Sequence, residues 1–167
     1  YEFNVGMKSY LEGRDLPYET LEDIVAFNEA NSDKVLKHFG QEIFLESLKA
    51  TDTERYLKER EDIGRLAKAQ IDSVLKVNNL DVIIGLTRNP GWLTDLENGD
   101  SRGDGGISWS NGGLSAVAGY PHITIPLDFV NDLPVGVSFL GTAWDEASLI
   151  NAAYSFEQEN KFFPIPK

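Results

Sequence analysis

The chain has 167 residues, no cysteine and a formal net charge of −12, from 15 Lys and Arg against 27 Asp and Glu. A chain of this length suits about one domain and buries roughly 70% of its unfolded surface, so it needs neither disulfide nor metal to hold a core. The missing cysteines exclude thiolate zinc sites, iron–sulfur clusters and cysteine nucleophiles, the acidic balance argues against a phosphate-backbone partner, and no apolar run approaches the ~18 residues of a membrane span.

The sequence opens at Tyr1-Glu2-Phe3 without an initiator Met, as expected of a processed product or a piece of something longer. Phe3, Met7, Tyr10 and Leu11 recur at helical spacing and predict an amphipathic helix that stops before Gly13 and Pro17. Thr20 and Asp23 stand in capping-box relation ahead of Leu21, Ile24, Val25 and Phe27, and the polar run Asn28 to Asp33 should end that second helix. A long third helix is expected after Thr51, with Glu54 as its N3 partner, a stripe of Tyr56, Ile63, Ala67, Ile71, Val74 and Leu75, and an end near Asn78-Asn79. Its basic residues alternate with Glu59, Glu61 and Asp62, which reads as a solvated face rather than a nucleic-acid patch.

Leu80 to Gly85 is a short β-branched run without alternation, predicting a central strand covered on both faces. Asn89 to Gly113 is dominated by Gly, Asn, Asp, Ser and Pro and should be a long loop, a feature that usually carries function or disorder. Ile123 to Leu127 and Val135 to Gly141 predict two strands joined through Asp128 to Pro134, with Pro126 marking a strand end or edge. A closing helix should open near Asp145 and carry Ile150, Ala153, Tyr154 and Phe156, followed by an extended, packed tail from Phe162 to Pro166.

Chemistry of the chain's own is hard to find in these residues. A nucleophile elbow needs Gly-x-Ser-x-Gly, and both near matches, Gly106 to Ser110 and Gly113 to Val117, lack the second Gly. Ser115 and His122 could join an acid in a triad only if the fold brought them together; the plainer account has His122 bonding a backbone group at a strand mouth. The acidic loop from Asp95 to Gly106 invites a calcium reading, but starting the twelve-residue register at Asp100 puts Arg102 third and Asn111 where a bidentate Glu belongs. A solvated acidic loop is therefore expected. Gly103 to Gly106 lacks the Lys of a phosphate loop.

Two linked words are more specific: Ala118-Gly119-Tyr120-Pro121-His122-Ile123-Thr124-Ile125-Pro126, and Leu133-Pro134-Val135-Gly136-Val137-Ser138-Phe139-Leu140-Gly141, the latter followed by Asp145, Leu149-Ile150, Ala152-Ala153 and Phe156-Glu157. They resemble the C-terminal end of amidase-signature enzymes, and Leu80 to Ile84 with Thr87 and Pro90 resembles that family's core strand and the Thr-Pro loop beside the substrate. The resemblance implies an α/β chain forming part of the amidase-signature fold, with strands of a mixed β-sheet flanked by helices. It further implies one domain over 1–167, the C-terminal segment of a larger amidase, with a mainly helical part at 1–79 and strands, Gly-rich loop and closing helix at 80–167.

The family's catalytic device is a serine activated through a second serine by a neutral lysine. It sits in the first half of such enzymes, in a Gly-Gly-Ser-Ser-Gly-Gly word and a separate Lys strand, and no Ser-Ser dipeptide occurs here. By resemblance, then, no residue is catalytic and the chain alone should not hydrolyse amides. It would supply one pocket wall, with substrate contacts from Thr87, Asn89 and Trp92 and, in the next segment, from Ser108 and Asn111; covering apolar surface would explain Trp92 and Trp109 equally well. The family's Asn three residues before the motif Gly is Ala116 here, and His122 replaces a small residue. The expected partners are the missing N-terminal catalytic half and a small-molecule amide, without nucleic acid, membrane, metal or cofactor, in a cytoplasmic setting. Uncovered edges and faces would favour self-association. Two alternatives remain open: a non-catalytic interaction or regulatory module, and part of a transfer-RNA amidotransferase A-type subunit.

Overall fold

The computed structural model describes residues 1–97 and 110–162. These residues form two compact units, one built from residues 1–59 and the described residues from Thr94, the other from residues 60–93 and the described residues from Ser110.

The first unit is helical: α1 (Glu2–Leu11), α2 (Leu21–Ala30), α3 (Ser32–Val35), α4 (Glu42–Lys49) and the opening of α5 (Thr53–Asn78). Helix α1 stops ahead of Gly13, whose φ of +73° suits the residue that lacks a Cβ. Thr20 caps α2 through the full capping box: the Asp23 N–H donates to Thr20 Oγ1 at 3.2 Å and the Thr20 N–H donates back to Asp23 Oδ2 at 3.0 Å. Helices α3 and α4 are additions to the expected elements, because four- and eight-residue helices without a side-chain cap leave no start signal in the sequence. Leu11, Leu21 and Val25 are buried, as is Gln41, which accepts from Asn28 Nδ2 at 3.1 Å and donates to the Val25 carbonyl at 3.4 Å. Asp52 rather than Thr51 begins α5, its Oδ1 accepting from the Arg55 N–H at 3.0 Å.

In the second unit the expected stripe of α5 splits in two. Ala67, Ile71 and Leu75 are buried at i, i+4 and i+8, while Ile63 and Val74 stay exposed. Strands β1 (Ile83–Leu86), β2 (His122–Val130) and β3 (Leu133–Leu140) form a sheet ordered β1-β3-β2, antiparallel throughout, with α6 (Gly112–Ala118) and α7 (Glu146–Asn160) completing the unit. The apolar run predicted as a central strand is therefore an edge of this sheet, and β3 is its centre. Ile84 and Leu86 remain about half exposed, at 53% and 49%: a run without alternation marks a strand needing cover on both faces, not its place in the order.

The connection between β2 and β3 is shorter than expected. It is a two-residue turn, Asn131-Asp132, with φ of +50° and +62°, the backbone of a type I′ hairpin that Asn enters readily. Pro126 lies on an edge strand, as expected, next to a bulge before Asp128. Asn160 at the end of α7 donates to the Leu127 carbonyl at 3.0 Å and so ties the helix to that bulge.

Side-chain alternation gives the sheet two faces. Ile123, Ile125, Val137 and Phe139 share one, closed by Leu149, Ala153 and Phe156 of α7. On the other, Leu140 and Ile83 pack with Ala67, Ile71 and Leu75 of α5 and Ala118 of α6. Helix α6 ends in a Schellman turn at Gly119 (φ +67°), where the Tyr120 N–H reaches the Ser115 carbonyl at 3.0 Å, and the chain passes directly into β2.

Two stability measurements check these features. Thr20→Ala is expected to cost about 1 kcal/mol in urea unfolding. Hydrogen bonds from the Glu19 N–H, then from the Thr20 hydroxyl and N–H, hold the Asp23 carboxyl below its usual value. The stability this provides is complete above the unfolded carboxylate pKa of about 3.9 and is lost as pH falls through the folded value, so the deficit of Thr20→Ala should shrink at acid pH. Asp132→Gly is expected to raise the melting temperature, because glycine relieves positive φ at the second hairpin position.

Candidate functional site

The end of the second sheet face away from α5 is polar. The register pairs Gly85 with Ser138 and Ser138 with Thr124 in one row, and the Thr87 N–H bonds the Gly136 carbonyl at 2.8 Å in the next. Three hydroxyls meet there. Ser138 Oγ donates to Thr87 Oγ1 at 2.8 Å, Thr124 Oγ1 lies 3.1 Å from Ser138 Oγ, and Thr87 Oγ1 donates to Thr124 Oγ1 at 3.5 Å. Ser138 is fully buried, Thr87 half-buried and Thr124 exposed, so the cluster opens outward from the sheet.

Two glycines make room for this arrangement. A Cβ at Gly136 would lie 2.9 Å from both Thr87 Oγ1 and Thr124 Cγ2, closer than packed atoms approach. A Cβ at Gly85 would lie 2.6 Å from Asn111 Nδ2, so the Asn111 carboxamide rests on the bare backbone of β1. An isolated bridge between Arg88 and Ser110 and a 3.0 Å bond from the Asn111 N–H to the Thr87 carbonyl hold the start of α6 against the end of β1.

Thr87 and Asn111, expected as pocket residues from the sequence, are thus brought together. Asn89 is half-buried on the segment leaving β1, and Trp92 is exposed there with the Arg88 guanidinium 5.8 Å from its ring centre. Ser108 and Trp109 lie outside the described residues, as does most of the acidic loop from Asp95 to Gly106. Within it, Asp95 Oδ1 accepts from the Glu97 N–H at 2.9 Å, and among the described residues no three His, Asp or Glu side chains converge as metal ligands.

The Ser115–His122 pairing does not form. Ser115 Oγ and His122 Nε2 are both buried without a hydrogen-bond partner, and Ser115 is only 1% exposed on the inner side of α6, out of reach of a substrate. His122 has Gly112 beside it and does not take the backbone bond expected of it at Nε2. Tyr120 of the same motif donates to Asp72 Oδ2 at 2.9 Å, and burial followed by this bond raises its phenol pKa. Thr142 donates to the other oxygen of Asp72 at 2.7 Å, so α5 holds both the entry to β2 and the exit from β3.

Thr124 and Ser138 are site residues that sequence reasoning misses. Their signal is present: each interrupts an apolar strand, in Ile123-Thr124-Ile125 and Val137-Ser138-Phe139, at the alternate positions that define one sheet face.

No protein-family model matches the chain. A probable amidase of Arabidopsis thaliana is 30% identical over 172 residues, covering 99% of this chain and 29% of the relative. The A-type subunit of the glutamyl-tRNA(Gln) amidotransferase of Exiguobacterium sibiricum is 31% identical over 89% of the chain, which covers 31% of that relative. Among solved structures, a peptide amidase in complex with the competitive inhibitor chymostatin superposes over the whole chain with a TM-score of 0.85 and 36% identity, and 34% of that protein is covered. The peptide amidase of Stenotrophomonas maltophilia gives 0.82 and 34% identity, again over the whole chain, with 33% of that protein covered.

The chain belongs to the amidase-signature family. It corresponds to the family's C-terminal portion and spans about a third of the length of the relatives it matches. The fold is the matching part of the peptide amidase fold. No helix among the described residues of this amidase-signature chain is long and apolar enough to cross a membrane.

The steric role of Gly136 is directly testable. Gly136→Ala must displace Thr87 or Thr124 and is expected to cost about 1–3 kcal/mol, read by urea unfolding, with shifted Thr87 and Thr124 methyl resonances. Unchanged methyl shifts would mean that the cluster does not depend on the glycine.

Proposed function

We propose that this chain forms the substrate-pocket wall of an amide-bond hydrolase whose serine, second serine and lysine are supplied by another part of the protein. The observation that carries the proposal is the open cluster of Thr87, Ser138 and Thr124 beside Asn111, polar side chains gathered on a sheet whose opposite face is packed with apolar residues. A wall of this kind orients a substrate; among the described residues the candidate pair Ser115 and His122 forms no nucleophile–base contact, so the chain alone is expected not to hydrolyse amides. Thr87, Asn89, Trp92, Ser108 and Asn111 are the proposed contacts.

The catalytic portion has a surface to rest on. Leu66, Val74, Ile83 and Leu114 line an apolar groove of about 460 Å³, and Ile63, Leu114 and Val117 line its neighbour of about 360 Å³. These side chains are apolar surface on one side of α5 and α6 that a further segment of the protein would bury. The likeness to peptide amidases favours a peptide or small-molecule amide as substrate. The likeness to the A-type subunit of a glutamyl-tRNA(Gln) amidotransferase keeps membership of such a subunit as the second reading.

The test is to assay the 167-residue chain beside the full native reading frame that contains it, against peptide, aliphatic and aryl amides. The expected result is turnover only by the longer protein, with KM raised several-fold by Thr87→Val. Amide hydrolysis by the chain alone, or none by a folded longer protein, would overturn the proposal.

A further inference from the structure

We propose that the hydroxyl cluster of Thr87, Ser138 and Thr124 is an acceptor surface that selects ligands presenting an N–H, and so distinguishes a carboxamide from the corresponding ester. This deepens the amidase reading and rests on it for the identity of the substrate.

Each hydroxyl has one proton to donate and two lone pairs to accept with. Ser138 donates to Thr87 and Thr87 to Thr124, and Thr124 lies 3.1 Å from Ser138, so its proton closes the circuit. All three protons are then spent inside the cluster, while each oxygen keeps one lone pair. Thr87 and Thr124 are the accessible members, so what the cluster presents outward is acceptor capacity. An N–H satisfies it; an ester oxygen cannot. Circular donation also strengthens each member, because every oxygen accepts while its own proton is withdrawn.

Asn111 adds the complementary group. Its side-chain carboxamide lies over Gly85, in the row of Ser138 and Thr124, and has no hydrogen-bond partner among the described residues. Its Nδ2 can donate to the carbonyl of a ligand whose N–H meets the cluster. Gly136 guards the arrangement, since any side chain there would push Thr87 and Thr124 apart. The weakest side of the circuit is the 3.5 Å contact between Thr87 and Thr124. Removing the Thr124 hydroxyl would therefore free the Thr87 proton to point outward and convert an acceptor into a donor.

The experiment is a methyl-resonance NMR titration of the full 167-residue chain with phenylacetamide and, separately, methyl phenylacetate, repeated on Thr124→Val and Thr124→Ser. The expected result is that the amide shifts the Thr87 and Thr124 methyls and binds about fivefold more tightly than the ester, the worth of one net hydrogen bond. Thr124→Val should bring the ratio toward one, and Thr124→Ser, which keeps the hydroxyl, should restore it. Equal affinities in the parent chain, no shift with either ligand, or a ratio unchanged in Thr124→Val would each overturn the inference. The titration needs no turnover. A preference for the amide in a protein whose full-length form is inactive would thus remove the hydrolase reading and leave the acceptor surface standing, whereas turnover without amide preference would do the reverse.

Discussion

Strand β3 is hydrogen-bonded on both sides, and its register against β1 and β2 decides which side chains share a face. Pairing Ser138 with both Gly85 and Thr124 puts hydroxyls and bare backbone in one row and sends Val137 and Phe139 to the opposite face under α7. A slip of one residue would exchange the faces, burying hydroxyls against Leu149 and exposing Phe139. Burial of a Phe or Leu side chain is worth about 1.5–3 kcal/mol each, so the α7 core holds the register and the polar row follows from it. The site is thus a by-product of apolar packing on its far side.

Much of this is legible in the residues. The capping box at Thr20, the long helix ending at Asn78, the glycine turn into β2 and the edge position of Pro126 all rest on local rules, and each recurs in the structure. What local rules miss is the partner across space. The run Ile83-Ile84-Gly85 says that the strand wants cover on two faces; it does not say that the neighbour is antiparallel β3 or that Ile84 stays 53% exposed among the described residues. Thr87 and Asn111 follow from resemblance, yet nothing in sequence shows that a bridge at Arg88 and Ser110 sets them side by side. Ser138 and Thr124 escape notice because a lone hydroxyl in a strand looks unremarkable until register aligns it with a second.

The same geometry suits the proposed division of labour. Rigid strands hold the polar row, as a positioning wall would require, while α5 braces the entry to β2 and the exit from β3 through Asp72. The outer stripe of α5 and the exposed side of α6 carry apolar side chains with nothing over them among the described residues. A chain that matches about a third of each amidase relative has, on this view, both the surface that would meet a catalytic portion and the row that would meet its substrate.

The register is the claim on which all of this stands, and interstrand nuclear Overhauser contacts of the isotope-labelled chain measure it most directly. The account predicts backbone contacts joining Thr124 to Ser138 and Ser138 to Gly85, with the Thr87 N–H facing Gly136. Contacts joining Thr124 to Phe139 or to Val137 as direct partners would reverse the faces of the sheet and contradict it.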